Sequence, residues 1–318
     1  MSEQSLFGVH DQGAEHLMTD AGVRGWVVYT HALRDGVTGY DYSGPHTPIA
    51  RLNWGYYPHG TVPSGKPNIF YPTWEQFELS CAQWVRNSQG CHHWIIGNES
   101  NHEQEWPDGQ RIDAHTYSRW YDFCRYRIRQ CKGHEQDQVI PAAPAPWNAS
   151  MGDWVDYWAE ILNRIYGCDG LALHAYTHGH DANLIYDEST MGPPYQDRHY
   201  NWISYRDFLQ AVPVHMRHLP VYITEADPDV SWHDENRGWV QAAYGDVDWF
   251  NKTGRFLPEY TDPTGKDAVA RGVPCNPIHA LCLYRWQTHE GDKWHFNDKP
   301  GVHDDFRAAM AKGYCEPA

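Results

Sequence analysis

Positive charge is scarce in this chain. Its 25 Lys and Arg face 41 Asp and Glu, for a formal net charge of -16 over 318 residues. No lysine- or arginine-rich run offsets that excess, so a polyanionic partner is repelled over most of the surface and nucleic-acid binding is not expected. Long hydrophobic runs are also missing. No stretch approaches the ~18 apolar residues of a membrane span. The opening Met1-Ser2-Glu3-Gln4-Ser5 has neither the basic nor the apolar region of a signal peptide. The chain as given therefore reads as soluble, with no membrane partner, and as cytoplasmic or of unassigned location; nothing in it specifies an oligomeric state. Cysteine is sparse, with 8 residues, too few for a disulfide scaffold. Cys124 and Cys131 share one predicted helix, about 10 Å apart along its axis, too far to bridge. Free thiols are expected. Asn98-Glu99-Ser100 fits a glycosylation acceptor pattern, but a glycan there would block the site argued below, which favours a bacterial or cytoplasmic context.

Aromatics, by contrast, are plentiful, with 16 Trp and 21 Tyr. That exceeds what core filling usually asks, so many are expected in a cleft and the remainder between helices and sheet. Apolar periodicity and turn punctuation yield eight strand candidates, at 6–10, 25–30, 48–53, 93–99, 139–144, 170–176, 221–225 and 280–286. Helical patterns stand between several of them, clearest at 73–87, 113–130, 150–166 and 201–217. Thr73 with Gln76 forms a capping-box signal, and Ser150 with Asp153 nearly does. Gly90, Gly133 and Gly167 follow three of these helices as stop signals. The segment 31–46 carries no convincing helix. Strands that alternate with crossover helices form a parallel sheet, and eight of them close it, so the expected fold is α/β, a (β/α)8 TIM barrel with long strand-to-helix loops. The length fits one such catalytic domain, 1–318, with a few long loops. Those loops, at 54–72, 100–112, 177–200 and 226–234, are rich in Gly, Pro, His and aromatics and would rim one cleft, since all emerge on the same face. A further insertion at 253–277 is expected to hold a short helix.

Two of the strand candidates end on glutamates. They are His93-Trp94-Ile95-Ile96-Gly97-Asn98-Glu99 and Val221-Tyr222-Ile223-Thr224-Glu225. A carboxylate at the carboxyl end of a barrel strand sits where this fold places its chemistry. Strands four and seven lie roughly across the barrel, so the two side chains can meet over its mouth, as a glycosidic bond held between two carboxyl groups requires. Either dipeptide alone is more often a capping or ion-paired surface feature. Their joint occurrence on the fourth and seventh of eight strands favours catalysis.

These residues resemble the clan A retaining glycoside hydrolases, a (β/α)8 group that includes cellulase-type and β-xylosidase-type families. Asn98-Glu99 is similar to the clan's Asn-Glu pair, which implies Glu99 as acid/base and Asn98 as the holder of a sugar 2-hydroxyl. Thr224-Glu225 implies Glu225 as nucleophile. His174-Ala175-Tyr176, at the end of strand six, resembles a His-x-Tyr pattern of several clan members, with Tyr176 hydrogen-bonded to the nucleophile. Trp286 stands where the clan has a platform tryptophan, whose ring would stack on the apolar face of a pyranose. The resemblance implies an oligosaccharide, polysaccharide or glycoside substrate and no cofactor. It spans most of the chain and selects no single family.

His10 and Asp11 after strand one, and Asn53 and Trp54 after strand three, are polar strand ends positioned to bind sugar hydroxyls. One departure from the clan concerns the arginine that many members carry on strand two. Here that strand ends in Thr30-His31, and Arg51 and Arg285 are the candidates to take its place, each with an outward-pointing alternative. Glu103 and Glu105 follow Glu99 closely, and Glu99 is preferred because it ends the strand. A metal-dependent hydrolase is the first alternative, from the His174, His178, His180 and Asp181 run, although it lacks partner ligands at an obvious spacing. A non-catalytic carbohydrate-binding barrel is the second.

Overall fold

The computed structural model describes residues 4–63, 73–234, 238–254, 275–287 and 292–317. Most of the expected insertion at 253–277, and the end of the loop at 54–72, lie outside them. Among the described residues eight strands form: β1 (Phe7–His10), β2 (Trp26–Ala32), β3 (Thr47–Asn53), β4 (His93–Ile96), β5 (Gln138–Pro141), β6 (Leu171–Tyr176), β7 (Val221–Asp227) and β8 (Ile278–Leu283). They hydrogen-bond in the order β5-β4-β3-β2-β1-β8-β7-β6, and the fold is a (β/α)8 barrel. The helices are α1 (Glu15–Asp20), α2 (Trp74–Asn87), α3 (Ala114–Arg129), α4 (Trp154–Arg164), α5 (Ser204–Ala211), α6 (Trp239–Trp249) and α7 (Pro300–Met310). No helix of the described residues is long and apolar enough to cross a membrane.

Local chemistry explains most of the boundaries. Thr73 caps α2 with both halves of the capping box, accepting from Gln76 N while Gln76 Oε1 accepts from Thr73 N at 2.7 Å. Asp113 caps α3 through Thr116 N. At α4 the cap is Asp153, whose Oδ1 accepts from Val155 N and Asp156 N, so the helix starts later than Ser150. A carboxylate there also meets the partial positive charge of the helix start. The single helix expected over 201–217 breaks. Pro213 has no N–H and disfavours helical geometry in the residue before it. Val212 is extended, with ψ 127°, α5 stops at Ala211, and a short 3-10 turn follows at Val214–Met216.

The chain divides into two compact units. One comprises residues 1–27 and 173–318. Within it β1 runs parallel to β8, with Gly8 opposite Cys282, and β8 runs parallel to β7. A Cβ on Gly8 would stand 2.5 Å from Cys282 Sγ, so only glycine allows that approach. The Tyr244 hydroxyl of α6 donates to Leu281 O at 2.7 Å. Phe7, Trp202, Trp239, Tyr244 and Phe306 are fully buried, each worth roughly 2 kcal/mol against exposure.

The other unit comprises residues 28–172. Its strands β3, β4 and β5 are parallel, with Ala50 opposite Trp94 and Ile95 opposite Ile140. Two tyrosines of α3 tie helix to sheet. The Tyr117 hydroxyl donates to Ile96 O at 2.7 Å and accepts from Ala142 N at 2.6 Å, and the Tyr121 hydroxyl donates to Val139 O at 2.6 Å. Burial pushes both phenols well above their ordinary range, so they remain neutral donors. The helix-free segment 31–46 contains one 3-10 turn, Leu33–Asp35, and otherwise packs aromatics. Tyr42 accepts from Trp84 Nε1 and meets His31 Nε2 at 2.7 Å, and the His31 ring lies 4.5 Å from that of Trp84.

Most of the 16 tryptophans pack the interior rather than line a cleft; Trp94, Trp120, Trp154 and Trp158 are among the largest fully buried side chains. All eight cysteines are free thiols, seven of them buried.

Candidate active site

The seventh strand carries Glu225 two residues before its end, not at it, because Ala226 still pairs with Leu283 of β8. The Glu225 side chain is almost wholly buried and surrounded by polar groups of the same unit. Tyr176, at the end of β6, donates its hydroxyl to Glu225 Oε2 at 2.9 Å and also meets His174 Nδ1 at 3.1 Å. His174 and Tyr176 share a face because they are two apart on a strand. His174 Nε2 and His10 Nε2 stand 3.7 Å and 3.8 Å from the other oxygen, Oε1. These are charge-interaction distances, too long for hydrogen bonds. His10 is oriented by Asp11, whose Oδ1 lies 2.8 Å from His10 Nδ1, and by the edge of the Tyr284 ring at 4.8 Å. Although burial opposes it, the charge of His10 and its hydrogen bond, with Arg285 beyond, hold the Asp11 carboxyl below its ordinary value.

Asp227 is a second buried carboxyl on the same face of β7. Burial, then the charges of Asp229 and Glu225, push it well above the usual carboxylate range, against the Asp229 N–H that donates to its Oδ1. The Glu225-Ala226-Asp227 alternation is the signal that could have found it.

In the unit of residues 28–172, strand β4 stops at Ile96, three residues short of Glu99. Gly97 makes the turn at φ 80°; a Cβ there would lie 2.5 Å from Val62 Cγ1. Gly97 N donates to Leu52 O, and Glu99 N donates to Ala143 O at 3.0 Å, which fastens the turn to β3 and to the segment after β5. Glu99 itself has φ 35°, in the left-handed region that costs a residue with a side chain about 1–3 kcal/mol. Its neighbour Asn98 is buried. Arg51 Nη1 donates to Asn98 Oδ1 at 2.7 Å, and Arg51 Nε donates to Thr30 Oγ1 at 3.2 Å. Arg51 thus points toward the strand ends and not outward, and the Thr30 hydroxyl accepts from it. Asn98 Nδ2 reaches Glu105 Oε1 at 3.4 Å, whereas Glu103 is exposed. Asn53 closes β3 with its side chain buried and its Oδ1 unpartnered among the described residues. Trp54 follows it, half-buried.

Trp286 lies beyond β8, which ends at Leu283. It is half-buried, with His16 and Phe296 at its edges and His303 tilted 31° to it. Gly13, at φ 114°, leaves room for its indole. Arg285 is taken up by Asp292, donating through Nε and Nη2 to Oδ2 at 2.8 and 2.6 Å, and is thereby committed to a neighbour other than Glu225. The histidine-rich run does not converge. His178 stacks on Tyr200, His180 packs on His233, and Asp181 caps the 3-10 turn Ala182–Tyr186. Only His174 of that group reaches Glu225.

No protein-family model matches this chain, and no curated protein is similar to it in sequence. Solved structures are similar in fold. An endo-β-1,3-glucanase of family GH128 (subgroup I) from Amycolatopsis mediterranei, in complex with laminaritriose, superposes with TM-score 0.51 at 13% identity, covering 97% of this chain and 100% of that one. A glucosidase from Croceicoccus marinus gives TM-score 0.51 at 10% identity, over 97% of this chain and 68% of the other. A β-galactosidase from the psychrophilic Marinomonas ef1 gives 0.50 at 7%, over 97% and 60%.

Proposed function

We propose that this chain is a retaining glycoside hydrolase of the clan A type, its 318 residues one catalytic domain, acting on a β-linked oligo- or polysaccharide without a cofactor. The observation that carries the reading is the setting of Glu225. A buried carboxylate near the carboxyl end of the seventh barrel strand, held by the Tyr176 hydroxyl and flanked by two imidazoles, is oriented as a nucleophile must be. Similarity in fold to barrels whose names are glucanase, glucosidase and galactosidase is consistent with it.

In this mechanism Glu225 attacks the anomeric carbon while Glu99 gives its proton to the departing glycosidic oxygen. Glu99, now a carboxylate, takes a proton from water, which displaces Glu225 from the glycosyl-enzyme. Two inversions give net retention, and the geometry they need is a carboxyl separation of about 5–5.5 Å. Asn98, held by Arg51, is assigned to the sugar 2-hydroxyl. Asn53, Trp54 and His10 are assigned to further hydroxyls and Trp286 to a stacking platform.

The test is the first product formed from a panel of β-glucan oligosaccharides, with laminari-oligosaccharides first, and aryl β-glycosides, followed by NMR before mutarotation. The expected product keeps the β configuration. Glu225→Gln should bind the same oligosaccharides yet lose at least roughly 10⁴-fold in turnover. An inverted product overturns the retaining assignment. Glu225→Gln activity within about tenfold of wild type removes Glu225 from the chemistry, and binding without turnover in the unmodified chain makes it a carbohydrate-binding barrel instead.

A further inference from the structure

The opposite end of β4 holds a second cluster that the proposed reaction does not use. His92 immediately precedes β4, Asp137 immediately precedes β5, and His134 lies in the turn between α3 and β5. Asp137 is buried, and its two oxygens are shared out. Oδ1 lies 2.6 Å from His92 Nδ1, and Oδ2 lies 2.7 Å from His134 Nδ1. Trp94 Nε1 also donates to Oδ2, at 2.6 Å. The three ligand-type atoms fall within 4.8 Å of one another.

We propose that His92, His134 and Asp137 form a binding site for a divalent transition-metal ion of the zinc class. Two imidazole nitrogens and one carboxylate oxygen are the donor set such ions take, at about 2.0–2.2 Å. A tetrahedral ion with bonds of that length holds its donors roughly 3.3 Å apart, between the shortest contact here, 2.6 Å, and the 4.8 Å limit of the set. The adjustment is small. The His92 side chain is 63% exposed, whereas Asp137 is buried. The Trp94 indole orients the carboxylate from behind, as outer hydrogen bonds do in metal sites. The nearby thiols are committed elsewhere, Cys91 to His93 O and Cys131 to Ala82 O. The fourth position, open through exposed His92, falls to water. Each Nδ1 must present its lone pair to the ion, so its proton leaves or moves to Nε2, and binding weakens at acid pH. The ion would clip the start of β4 to the start of β5, a stabilising role independent of Glu99 and Glu225.

The experiment is calorimetric titration of chelator-stripped full-length chain with zinc chloride, together with cobalt(II) absorption and melting curves. One saturable site is expected, with visible cobalt bands of a four- or five-coordinate ion and a melting temperature that rises with zinc. His92→Ala, at an exposed position, should weaken binding at least tenfold and remove the cobalt bands. The His92→Ala/His134→Ala double variant should leave only background from the remaining histidines. If the double variant binds as wild type does, or if wild type shows no saturable site, the proposal fails. Neither outcome bears on glycoside turnover.

Discussion

Glu225 lies two residues inside the carboxyl end of β7 and Glu99 three residues beyond that of β4, and the local structure fixes different features of each. Around Glu225 the carboxylate itself is gripped by Tyr176 and faced by His10 and His174. At Glu99 the fixed points are the Gly97 turn, the left-handed backbone and the hydrogen bond from its N–H to Ala143 O. The two jobs proposed for them differ. A nucleophile must keep one charge state and one direction through the reaction. An acid/base group must lose and regain a proton, and a surround that holds the anion tightly would oppose protonation.

The contrast can be broken from either side. After the loss of Glu225 itself, the largest effect is expected at Glu99. Glu99→Ala leaves the backbone turn in place and should slow substrates with poor leaving groups by about 10²–10⁴-fold, while activated aryl glycosides lose far less. Equal losses on both substrate types would mean that residue 99 does not deliver the proton. A smaller effect is expected at Tyr176. Tyr176→Phe removes a donor that favours the charged form of Glu225, so kcat/KM should fall on the order of tenfold, with the acid limb of its pH profile moved to higher pH. A uniform loss with no displacement of that limb would make Tyr176 a packing residue. The smallest effect concerns stability, at His31, whose ring packs on Trp84. Burial holds its imidazole down to about 4 from an ordinary 6.5. The folded state thus binds its proton less readily than the unfolded chain, and its contribution is intact above about pH 6.5 and is lost as pH falls through 4. The loss amounts to no more than about 3 kcal/mol. His31→Gln, which can still bond to Tyr42, should flatten the fall of melting temperature between those pH values. An unchanged slope would assign acid lability to other groups.

Most of the barrel was legible because each of its strands is short, apolar and punctuated. Runs such as Leu171 to Ala175 or Val221 to Thr224 have no other stable place than a doubly covered sheet. What escaped was set by neighbours distant in sequence. The run through Ile96-Gly97-Asn98-Glu99 reads as one strand by its apolar start, whereas β4 stops at Ile96 and Gly97 turns the chain at φ 80°. The direction of Arg51 depends on Asn98 and that of Arg285 on Asp292. Each pairing is invisible to periodicity, which assigns a face but not a partner. Asp227 went unnoticed because β7 runs two residues beyond Glu225, where Ala226 pairs with Leu283 of β8. The His92, His134 and Asp137 group was hidden because a helix of 16 residues separates its members.

The backbone at residue 99 also sets a direction for neutral drift. With φ at 35°, glycine there would relieve a local cost of about 1–3 kcal/mol, and asparagine part of it. Mutation without selection would therefore carry position 99 away from glutamate toward a more stable and inert barrel, so a lineage that keeps glutamate there forgoes that stability for the sake of its carboxyl group.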